Sequence, residues 1–168
     1  NLVEAQIPVV LDVPSWPLRQ MRLAEARAMA AKELKTVAAV WAREAESLPP
    51  ELLPFVVPVL RSEDVRRGAG LESIRRIVQL LDGPEVPESA ERIRAAKPHA
   101  ILSVRMVLGP ETIGRILELS GHGLKVFHIC ADPHGRDRMQ NGTHGRHIKD
   151  VLREMHGRHV NEGVRDEI

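Results

Sequence analysis

Short apolar runs alternate with helix-patterned stretches along the whole chain, and this rhythm constrains the fold more than any other feature. Ile7–Val13, Val37–Trp41, Ala100–Leu108 and Lys125–Cys130 read as buried strands. Phe55–Leu60 is a further apolar run, and Pro58 within it predicts an edge strand or an extended segment. Between these runs lie helical patterns. Leu18–Leu34 is rich in Ala, Leu, Met, Arg and Glu, with Ser15 placed to cap it and Pro17 suited to its first turn. Leu48–Leu53 fits one helical turn. Glu72–Leu81 is expected to be helical, with Ile74, Ile77, Val78 and Leu81 on one face. Glu88–Ala96 and Glu111–Leu119 are shorter helices. The last helix runs from about Gly145 to Glu162 and carries Ile148, Val151, Leu152 and Met155 on one face, with Gly163 as its stop.

Strands alternating with helices imply right-handed βαβ units, so the expected class is α/β with a mainly parallel sheet. Ile101–Val107 and Val126–Cys130, apolar on both faces, are expected side by side at its centre. An open doubly wound sheet and a piece of a (β/α)8 barrel fit the pattern equally. A full barrel takes about 250 residues. The 168 residues here suit a single domain or a fragment of a larger one.

Composition narrows the functional classes. The net charge is +1, so bulk electrostatics gives no sign of nucleic-acid binding. Trp16, Trp41, Phe55 and Phe127 are the only aromatic rings outside histidine, too few for base-stacking platforms. No apolar run is long enough for a membrane span, and no signal-peptide pattern opens the chain. The one cysteine, Cys130, cannot form an internal disulfide, which points to a reducing cytoplasm.

Candidate chemistry gathers near the C-terminal end. The loop Asp132–Thr143 follows an apolar strand and precedes a helix, the usual place for a ligand in parallel α/β folds. Its glycines allow backbone N–H groups to approach an anion, Arg136 and Arg138 supply cations, and the next helix would turn its positive end toward the same place. A solvated surface loop is the plain alternative. Arg105 stands among Ile101, Leu102, Val104, Met106 and Val107, where a charge needs a partner or water. It is either a functional cation or an arginine reaching from the strand end to solvent. His144 and His147, and His156 and His159, have helix-face spacing but no completing ligands, so no metal site is assigned. Cys130 and His128 share a strand face, although a cysteine in an apolar strand is more often packed and inert.

The segment HGRHIKDVLREMHGRHVNEGVRDEI, His144–Ile168, resembles the flavin mononucleotide (FMN)-binding domain of glutamate synthase and of its longer glutamate synthase-like relatives. The earlier segments IPVVLDVPSW and AMAAKELKTVAAVWAREAESLPPELLPFVVPVLRSED are similar to the longer relatives. The resemblance implies part of a TIM-type (β/α)8 barrel holding FMN. It implies reductive amination of 2-oxoglutarate to glutamate through 2-iminoglutarate, with ammonia free or derived from glutamine. Arg105 stands where that family carries a lysine near the flavin. Asp132, His134, Gly135, Arg136, Gly142 and Thr143 match the polar loop that borders the cofactor. Iron–sulfur clusters and the amidotransferase cysteine would lie outside this chain, as would an electron-donor protein or subunit. The family's glycine-rich phosphate loop is expected beyond Ile168, so the chain alone is expected to bind FMN weakly or not at all. Two other classes compete with this one. One is a non-catalytic α/β scaffold. The other is a domain contacting phosphate or nucleic acid through the basic stretch Arg136–Arg158.

Overall fold

The computed structural model describes residues 7, 9–13, 21–137 and 145–161. In chain order the elements are β1 (Val10–Leu11), α1 (Met21–Glu33), β2 (Val37–Trp41), α2 (Ala42–Ala45), β3 (Val56–Leu60) and α3 (Ser62–Arg67). They continue with β4 (Ile77–Leu81), α4 (Val86–Ala96), β5 (Ile101–Val107), α5 (Thr112–Gly121), β6 (Val126–Cys130) and α6 (Ile148–Asn161). Single 3-10 turns at Leu53–Phe55 and Leu71–Ser73 lead toward β3 and β4. The strands form a six-stranded, all-parallel sheet in the order β1-β2-β3-β4-β5-β6, and a helix lies between each successive pair. The expected α/β class and alternating parallel layout are therefore present. Contacts divide the chain into two compact units, residues 1–102 and 103–168, with the boundary inside β5.

In the first unit, the parallel ladders join β1 to β2, β2 to β3 and β3 to β4. Ala24, Ala28 and Ala31 form one helical stripe on α1 and pack against Ala38, Val40 and Val56. Leu48, Leu52 and Leu53 complete that layer. On the opposite sheet face Ala39 and Val59 pack with Val13, and Trp41 closes over them. Burial on both faces explains why these strands read as unbroken apolar runs.

Several sequence expectations need correction here. Glu72–Leu81 is not a helix: its second half is strand β4. The apolar run Ile77, Val78, Leu80 and Leu81 also suits a short strand buried on both faces. Phe55–Leu60 is no edge strand, because β3 lies between β2 and β4 with every residue buried. Pro58 is tolerated because the β3–β4 register begins one residue later, at Val59 opposite Gln79. The Ile7–Val13 strand is confined to Val10–Leu11. Leu48–Leu53 runs through turns into the 3-10 turn Leu53–Phe55, while α2 and α3 were not expected. Ser15, Pro17 and Leu18–Gln20 lie outside the described residues.

In the second unit, β5 and β6 run parallel, with Ser103 opposite Val126 and Val107 opposite Cys130. The pair is not central, since β6 ends the strand order. Val107 and Val126 are accordingly exposed at 55% and 43%. Leu108, Ile113 and Val151 form the buried nucleus here, with Leu117, Ile129, Ala131, Ile148 and Met155 around them. Both α5 and α6 therefore cover the same sheet face. On α6, Val151 is buried as expected, but Leu152 is 43% exposed.

Candidate functional site

Strand alternation decides which sheet face each side chain of β5 and β6 takes. Leu108, Ile129 and Ala131 point toward α5 and α6. Residues an even number of positions from them, Val104, Met106 and Phe127, share that face. Ser103, Arg105 and Val107 of β5 take the other face, with Val126, His128 and Cys130 of β6. Arg105 is thus not held under a helix. The parallel register sets it opposite His128, and Arg105 Nη1 lies 3.3 Å from His128 Nδ1. A guanidinium can only donate, so in this contact the accepting atom is His128 Nδ1. Arg105, His128 and Cys130 are all half-buried. The His128 ring nitrogen and the Cys130 sulfur come within 4.8 Å of one another.

The loop after β6 is built by its own first residue. Asp132 Oδ1 accepts the backbone N–H groups of His134 at 2.8 Å and Arg136 at 2.7 Å. Asp132 N–H donates to the Arg136 carbonyl, and Gly135 N–H to that of Asp132, both at 2.9 Å. The Arg136 N–H above all, aided by the His134 N–H and the charges of His134 and Arg136, holds the Asp132 carboxyl below the usual aspartate range against an opposing desolvation effect. Gly135 takes φ +71°, a left-handed conformation that favours glycine. Its Cα packs on the His147 ring, where an added Cβ would come 3.1 Å from Nε2.

The strand-like segment Arg136–Asp137 then pairs antiparallel with Arg146–His147. Arg136 Nη1 donates to the Gly145 carbonyl at 2.9 Å. Asp137 is buried at 4% exposure, and its Oδ2 lies 3.6 Å from Arg146 Nε. Arg146 also pairs with Glu154, as does Arg158. Two cations of the basic stretch, Arg146 and Arg158, are therefore engaged by acids.

The start of α6 corrects one expectation. Its first N–H groups do not face an open anion site. Ile148 N–H donates to the Gly135 carbonyl, Lys149 N–H to His147 Nδ1, and Asp150 and Val151 N–H to the His147 carbonyl. His147 acts as the side-chain cap of this helix, a role usually filled by Ser, Thr, Asp or Asn. Of the residues expected at the site, Asp132, Gly135 and Arg136 come together in this braced loop, with the exposed His134 on its surface. Arg138, Gly142, Thr143 and His144 lie outside the described residues, as does the His159 side chain. Two participants were missed, His128 as the partner of Arg105 and His147 as the cap. Period-two alternation puts His128 on a definite face, but only the register places it opposite Arg105.

No family model, curated protein or solved structure matches the chain.

Proposed function

We propose that this chain is part of a flavin-binding (β/α)8 barrel of the glutamate synthase-like kind, acting on 2-oxoglutarate and ammonia. One observation carries the reading. The second unit presents a cation, Arg105, on the sheet face that its helices leave free, braced by His128 on the neighbouring parallel strand. In (β/α)8 barrels that face is the interior, and functional side chains gather at the C-terminal ends of its strands. The sequential all-parallel strand order is compatible with the same architecture.

The residues fit one edge of the proposed cofactor and not another. A half-buried guanidinium with a fixed orientation suits the electron-rich pyrimidine edge of a flavin. The described loop does not suit the phosphate, because the N–H groups of residues 134–137 and 148–151 already have partners within the chain. When bound, FMN would supply the hydride that reduces the imine of 2-oxoglutarate. Arg105 would stabilise negative charge at the pyrimidine edge, and His128 would hold the guanidinium in register with it. Asp132, Gly135 and Arg136 would shape the rim through the braced turn, leaving the His134 ring to meet ligand. The proposed partners are thus small molecules, with reducing equivalents delivered by a separate protein.

Titrating the chain with FMN while recording the visible flavin spectrum tests this. Any perturbation is expected only at high FMN concentration, with affinity reduced about tenfold in Arg105→Met through loss of a charge-assisted bond. A perturbation unchanged in Arg105→Met would overturn the flavin reading and favour a scaffold, and tight stoichiometric binding would overturn the placing of the phosphate loop beyond Ile168.

A further inference from the structure

The first unit carries a second candidate recognition feature, independent of the flavin reading. Trp41 is the last residue of β2, and Arg61 is the first residue past β3. The ladder sets Trp41 opposite Val59, so Arg61 follows two residues later on the same strand face. The Arg61 guanidinium carbon lies 5.8 Å from the centre of the Trp41 ring, within cation–π range. Trp41 is itself fixed from below by Val13, Ala39 and Val59.

Arg61 is exposed, and among the described residues its guanidinium has no hydrogen-bond or ion-pair partner. Three acids of this unit are engaged elsewhere. Asp64 Oδ2 accepts the backbone N–H of Arg61, at 2.9 Å. Glu46 Oε1 accepts the Gly70 N–H at 2.6 Å, and Glu85 pairs with Arg66 at 3.3 Å. A guanidinium attracted to an indole face is restrained near it while its N–H donors remain available. It does so at the C-terminal ends of adjacent parallel strands, where α/β sheets take up ligands.

We propose that Trp41 and Arg61 form an oxyanion-recognition site, taking the carboxylate or phosphate group of a small molecule. The indole provides a flat apolar wall beside the anion, and the guanidinium provides paired N–H donors.

The test uses the whole chain with Trp16→Phe, which leaves Trp41 as the only tryptophan. Succinate and inorganic phosphate are titrated separately at constant ionic strength, with chloride as the control. Indole fluorescence should change saturably with at least one of them. The tighter of the two identifies the oxyanion as carboxylate or phosphate. Arg61→Met should weaken that response by about tenfold or more, and Arg61→Lys should fall between, since it keeps charge but loses the fork. Circular dichroism is expected to be unchanged, as Arg61 is exposed. No saturable response beyond chloride, or an equal response in Arg61→Met, overturns the proposal.

Discussion

Asp132 organises the loop after β6 through bonds that only a carboxylate or an amide in its place could accept. The bonds from Arg136 and His134 hold its acidity below the ordinary aspartate range. The stabilising contribution is therefore full above that range and is lost as pH falls through the depressed folded value. Amide hydrogen exchange should show His134 and Arg136 losing protection across that acidic window. Asp132→Asn, which retains the acceptor oxygen, should keep the protection but lose its pH dependence. Gly135 is the other residue on which this turn depends. Gly135→Ala should cost about 1–2 kcal/mol for the left-handed backbone alone, read by chemical denaturation. It should also displace the His147 ring, which a changed imidazole NMR signal would report. The mutual bracing of Asp132, Gly135 and His147 could not be read from sequence. The contacts of Gly135 with His147 and Ile148 join residues twelve and thirteen positions apart, beyond the reach of any local period.

Elements were legible where one period dominated. Val37–Trp41, Val126–Cys130 and the α4 and α5 regions emerged with small boundary errors, because β-branched runs or a clear apolar helix face left little choice. The β4 region failed because Ile74, Ile77, Val78 and Leu81 satisfy a helix face over a stretch too short to exclude a strand. Pro58 misled for a different reason: the cost of a missing N–H depends on where the neighbouring ladder begins, which is a tertiary fact. Gly68 and Gly70 allow a controlled comparison between backbone conformation and packing. Their φ values are +73° and +74°. An added Cβ at Gly68 meets nothing within 4 Å, whereas at Gly70 it would come 2.7 Å from Leu60 Cδ2 and 3.3 Å from Ala42 Cα. Gly68→Ala should therefore cost about 1 kcal/mol, and Gly70→Ala clearly more, roughly 2–4 kcal/mol, by urea denaturation. In α5, Ile116 is fully buried, so Ile116→Ala should cost about 2–5 kcal/mol.

At the scale of the whole chain, an all-parallel sheet in sequence order comes from the repeated alternation of strand and helix. Among the described residues no helix is long and apolar enough to cross a membrane. The α/β class was legible because each crossover returns the chain in the same direction. The site was only partly legible. Arg105 drew attention as a charge in an apolar run, but its use depends on the free sheet face and on His128, which the register alone reveals. The proposal that this face takes up a flavin is the central claim, and side-chain NMR tests it most directly. Adding FMN to the chain should shift the Arg105 Nε–H and His128 ring resonances together and saturably, with Ile113 and Val151 methyl signals little changed. Shifts confined to α5 and α6, with the Arg105 and His128 signals unmoved, would contradict it.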